Sequence, residues 1–93
     1  MDKKMLKSIS VFVKFDLVLE PITGQTEMKI IVSEGAPFIF LLHSIFTSYP
    51  EIQRRYPPGK LTMALNGCRP TEHEFLQDGD IVSFSIQSYL FNN

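Results

Sequence analysis

Cysteine is nearly absent: Cys68 stands alone in 93 residues. An internal disulfide is excluded, and so are zinc or iron–sulfur centres built on several thiolates. A reduced, cytoplasmic setting is the expectation. An excess of one charge is also lacking. Nine Lys and Arg stand against ten Asp and Glu, a formal net charge of −1. A binder held by phosphate contacts needs a basic face, so nucleic acid is not an expected partner. No run of about 18 apolar residues exists, so no membrane-spanning helix is expected. The start, Met1-Asp2-Lys3-Lys4, leads into alternation rather than a solid apolar stretch, unlike a signal peptide. Glycine is sparse and dispersed: no two of Gly24, Gly35, Gly59, Gly67 and Gly79 are adjacent. Internal repeats and low-complexity segments are missing as well.

What is present is an ordinary globular composition, 44% hydrophobic with eight Phe and three Tyr. The length suits one domain over 1–93. A chain this short buries only about 60–65% of its unfolded surface, so a core leaves little room for a deep pocket.

Ile9, Val11, Val13, Phe15 and Leu17 share one parity, with Ser10, Phe12, Lys14, Asp16 and Val18 between them. Period two predicts a half-buried strand with the odd residues on the core. Pro21, Thr23 and Gly24 predict a turn. Met28, Ile30 and Val32 then predict a second strand, antiparallel to the first across a loop of about six to eight residues. Phe38, Leu41, Leu42, Ile45, Phe46 and Tyr49 recur at helical spacing between Pro37 and Pro50, opposite the polar His43, Ser44, Thr47 and Ser48. No good side-chain N-cap adjoins Pro37. A short helical turn is expected at 51–55 within an irregular connection. Leu61, Met63 and Leu65 predict a third strand ending in the Asn66-Gly67 turn signal. A short strand over 68–71, a tight turn at Gln77-Asp78-Gly79-Asp80 and a last strand over 81–87 complete the pattern. The expected fold is α+β: a mixed sheet of four to five strands, first and last paired at its centre, with one helix across one face.

This order, with Leu61-Thr-Met-Ala-Leu-Asn-Gly-Cys followed by Leu76-Gln-Asp-Gly-Asp before the last strand, resembles the MoaD/ThiS sulfur-carrier family of ubiquitin-like β-grasp proteins. The likeness covers most of 8–87, leaving 88–93 as an apolar tail. It implies a place in a molybdopterin, thiamine or tungsten-cofactor sulfur pathway. It also implies protein partners: an adenylating enzyme or a molybdopterin synthase large subunit. Carriers of this family end in Gly-Gly, whose terminal carboxylate is adenylated and converted to a thiocarboxylate. Asn92 and Asn93 stand at those positions here. The expectation is a diverged, protein-binding relative without that chemistry, needing no cofactor. Two alternatives stay open: a true carrier with an Asn-Asn end, and a TGS-like regulatory or RNA-associated module, since TGS domains share the Asn-Gly and Leu-x-Asp-Gly-Asp elements.

Tyr89, Leu90 and Phe91 are consecutive large apolar residues beyond the last strand. They either finish the core or dock a partner, where aromatic anchors concentrate binding energy. Phe12, on the outer parity of a central strand, and Ala64 extend the candidate partner surface. Asp78 and Asp80 read as turn carboxylates accepting backbone N–H groups. Cys68 beside Arg69 reads as a weakly reactive strand residue, and His43 and His73 as solvated surface residues. Arg54, Arg55 and Lys60 form a small basic group that either meets an acidic partner or is solvated. No catalytic triad, phosphate-binding glycine loop or paired-carboxylate site can be assembled, so no enzyme activity is expected.

Overall fold

The computed structural model describes residues 7–57, 59–71 and 73–86. Strand β1 (Ser8–Phe15) pairs antiparallel with β2 (Glu27–Ser33) and parallel with β4 (Ile81–Ile86), which pairs antiparallel with β3 (Leu61–Leu65). The sheet order is β2-β1-β4-β3, so the first and last strands lie at the centre as expected. Between β1 and β2 come a 3-10 turn (Leu17–Leu19) and the one-turn helix α1 (Glu20–Thr23). Helices α2 (Phe38–Ser48) and α3 (Pro50–Arg55) follow β2. This is the ubiquitin-like β-grasp arrangement.

The core is the layer between the sheet and α2. Val11, Val13 and Phe15 of β1 and Val82 and Phe84 of β4 are buried against Phe38, Leu41 and Ile45 of α2. Phe15 stacks on Phe84 with centroids 5.7 Å apart, and Tyr49 meets the edge of Phe15 at 6.1 Å. Ile52 of α3 is fully buried, so this short helix closes one end of the core rather than merely bridging to β3. Each such side chain contributes about 1.5–3 kcal/mol when fully buried.

Two expectations are corrected. The parity of β1 does not continue to Leu17, which is 71% exposed, while Leu19 is fully buried. Asp16 ends the strand: its carboxylate accepts the Val18 N–H and caps the 3-10 turn. The connection to β2 therefore coils, and Gly24 ends α1 in the left-handed region at φ 78°, where a side chain would be strained. Cys68–Thr71 forms no strand: a single bridge from Cys68 to Leu65 is all the described pairing there. The last strand is described over Ile81–Ile86, and Gln87 of the expected strand lies outside the described residues.

Helix α2 starts without a side-chain cap because another segment caps it. Phe38 N–H donates to the Glu74 carbonyl (2.7 Å), and Leu76 N–H donates to the Ala36 carbonyl (2.8 Å). The segment before β4 thus binds the helix start by main-chain bonds, and Leu76 enters the core.

Candidate docking face

Among the described residues, one face of the sheet is covered and the other is open. The pleat sends alternate residues to opposite sides, and the register fixes which residues meet. On the open side Phe12 lies beside Ile81 across the parallel pairing, and Ala64 lies beside Ser83 across the antiparallel one. Ile31, opposite Ser10, extends the face onto β2. Phe12, Ile81 and Ile31 are 39%, 38% and 56% exposed, and Ala64 is half-buried. Ser8, Ser10, Ser33, Ser83, Ser85 and Thr62 take the uncharged polar positions of this side, Lys29 lies directly beside Phe12, and Lys14 lies between Glu27 and Ser83. This side therefore sets a few exposed apolar side chains among small polar and charged ones.

A hydrogen-bonded junction holds one end of this face. Asn66, at φ 52°, donates from its amide nitrogen to Asp80 (2.9 Å) and accepts the Ile81 N–H at its amide oxygen (2.9 Å). The other oxygen of Asp80 accepts the Gln77 N–H, and Asp78 accepts the Ser10 N–H, each at 2.8 Å. The Asn-Gly and Asp-Gly-Asp motifs are thus one structure that docks β4 against β1 and fixes Ile81 beside Phe12. Asp78 and Asp80 accept main-chain N–H groups, as turn chemistry predicted.

The other candidates divide. Phe12 and Ala64 sit on the open face where parity put them. Ile81 and Ile31 were missed; their signal is the same parity, visible once the strand register is known. Tyr89, Leu90, Phe91, Asn92 and Asn93 lie outside the described residues. Arg54 and Arg55 both pair with Glu51 on α3, at 2.8 and 3.2 Å. Cys68, His43 and His73 are exposed. Among the described residues no group of three or more His, Cys, Asp or Glu could hold a metal ion, and no helix is long and apolar enough to cross a membrane. An open cleft of about 610 Å³ between Ile9, Gly35 and Phe75 also carries Lys7, Glu34 and Asp78, but no nucleophile paired with a base.

No family model and no curated protein matches the sequence. Solved structures do match the fold. A Pyrococcus furiosus protein provisionally named molybdopterin converting factor, subunit 1, superposes with a TM-score of 0.75 at 24% identity, over 86% of this chain and 99% of that one. The small archaeal modifier protein SAMP1 of Haloferax volcanii gives 0.72 at 16% identity, over 85% and 96%. The small archaeal modifier protein 1 of Methanosarcina acetivorans gives 0.67 at 18%, over 86% and 94%. The chain has the ubiquitin-like β-grasp fold of these proteins, in agreement with the MoaD/ThiS resemblance of its sequence.

Proposed function

We propose that this chain is a ubiquitin-fold binding module that recognises a protein through its open sheet face, as a relative of the sulfur carriers that does not itself carry sulfur. The observation that carries the reading is the exposed Phe12–Ile81 pair on a face that no described element covers. A small domain gains from every apolar residue it buries, yet Phe12, Ile81 and Ile31 lie outside the core. Serines around them keep the surface flat enough for a partner to exclude water from these side chains. By resemblance the partner is an adenylating enzyme or a molybdopterin synthase large subunit, and the setting a molybdopterin, thiamine or tungsten-cofactor pathway.

The non-carrier half rests on chemistry. The carriers' tail threads a narrow channel, which favours glycines without a Cβ, and these 93 residues contain no adjacent glycines. The test is incubation with ATP, a MoaD/ThiS-type adenylating enzyme and a sulfide source, followed by intact mass. An unchanged mass is expected while a Gly-Gly carrier in the same tube gains sulfur. Conversion of the chain's terminal carboxylate to a thiocarboxylate would make it a true carrier.

A further inference from the structure

The two edges of the sheet are built differently. β3 is five residues long, and Leu65 exchanges main-chain bonds with Cys68 at 2.8 and 3.0 Å, which occupies its outward groups. β2 runs for seven residues, pairs one-to-one with β1 without a bulge and contains no proline. Its inward side chains, Met28, Ile30 and Val32, are apolar and half-buried. Shortness, bulges, prolines and inward charges, all ways of blunting an edge, are absent from β2, so the edge is guarded by its charged side chains Glu27 and Lys29.

The ladder fixes which main-chain groups of β2 are turned outward. Phe15 N–H donates to the Thr26 carbonyl and Glu34 N–H to the Lys7 carbonyl, both at 2.7 Å. In an antiparallel pair the bonded positions alternate, so the even residues between these two bond to β1. Glu27, Lys29 and Ile31 turn their N–H and C=O groups to the edge, which no described strand pairs, while the side chains of Glu27 and Lys29 share the open face.

We propose that β2 is a self-complementary edge on which two copies of this chain pair, antiparallel, about a two-fold axis at Met28. Charge selects the register. With the axis at Met28, Glu27 lies opposite Lys29 of the second copy and Lys29 opposite its Glu27, at positions that exchange main-chain bonds. Moving the axis one residue either way sets Glu27 against Glu27 or Lys29 against Lys29, and like charges directly opposite are unfavourable. Lys29 thereby repels strands that lack an acidic residue at the matching position, while Glu27, two residues before it, admits a second copy. The two sheets become one, with both Phe12–Ile81 faces on the same side, so a partner carrying two sites meets a bivalent surface. The contact is a single strand pair, well below the size of a stable interface, so the dimer is weak and concentration-dependent.

Sedimentation velocity across a concentration series up to about 1 mM, the range of weak association, tests this. The wild-type chain is expected to shift from monomer to dimer, less so in high salt. Lys29→Glu and Glu27→Lys are each expected to remain monomeric. Mixed together, these two variants form complementary pairs at both positions and are expected to restore the dimer, an outcome that misfolded variants could not give. A wild-type chain that stays monomeric throughout, single reversals that dimerise like wild type, or a mixture that fails to associate would each overturn the proposal. None of these outcomes bears on partner docking at Phe12 and Ile81.

Discussion

Asn66 does three things with one side chain and one backbone angle. It takes φ 52°, gives a hydrogen bond to Asp80 and receives one from Ile81. Asparagine tolerates the left-handed region better than residues that cannot bond locally. Asn66→Ala should lose both the conformational tolerance and the bonds, costing about 2 kcal/mol. Asn66→Gly keeps the backbone and should cost about 1 kcal/mol. Urea unfolding midpoints check both, and equal losses would show that the backbone angle contributes nothing. Leu17 and Leu19 give a sharper contrast, being 71% and 0% exposed. Leu19→Ala should destabilise by about 2–5 kcal/mol. Leu17→Ala should fall within about 0.5 kcal/mol of wild type. The reverse order would restore the continuous strand that parity predicts.

At the scale of elements, the regular pieces were legible because each has one dominant period. Alternation marks β1, β2, β3 and β4, and the 3.6-residue recurrence from Phe38 to Tyr49 marks α2. What failed was local. Asp16 interrupts a run whose parity continues through Leu17, and the sign that the strand ends there is an acidic residue able to cap a turn, with Pro21 shortly beyond at the start of α1. The capping of α2 by Glu74 is a contact between segments remote in sequence, which no local pattern encodes. The candidate docking face was half legible: Phe12 and Ala64 follow from strand parity alone. Ile81 joins them only through the parallel β1–β4 register. Helix α3 offers a test of its place in the core. Ile52→Ala should cost about 2–5 kcal/mol. Phe40→Ala on the exposed side of α2, where the ring is 64% exposed, should change stability by less than about 0.5 kcal/mol. Thermal or urea unfolding separates the two, and a small loss at Ile52 would make α3 a mere connector.

Among the described residues, the whole molecule is a sheet with one side committed to folding and the other covered by no element. Phe15, Phe84 and α2 occupy the committed side, leaving no site among the described residues where a nucleophile and base converge. The open face presents Phe12, Ile81 and Ile31 among small polar and charged side chains. Isothermal titration of the chain into a MoaD/ThiS-type adenylating enzyme, with wild type and the Phe12→Ser, Ile81→Ser double variant side by side, tests this docking face most directly. Saturable binding by wild type is expected, weakened at least tenfold in the double variant, which corresponds to about 1.4 kcal/mol, while circular dichroism shows the variant folded. Absent wild-type binding, or equal binding by both proteins, would contradict the docking role of the sheet face.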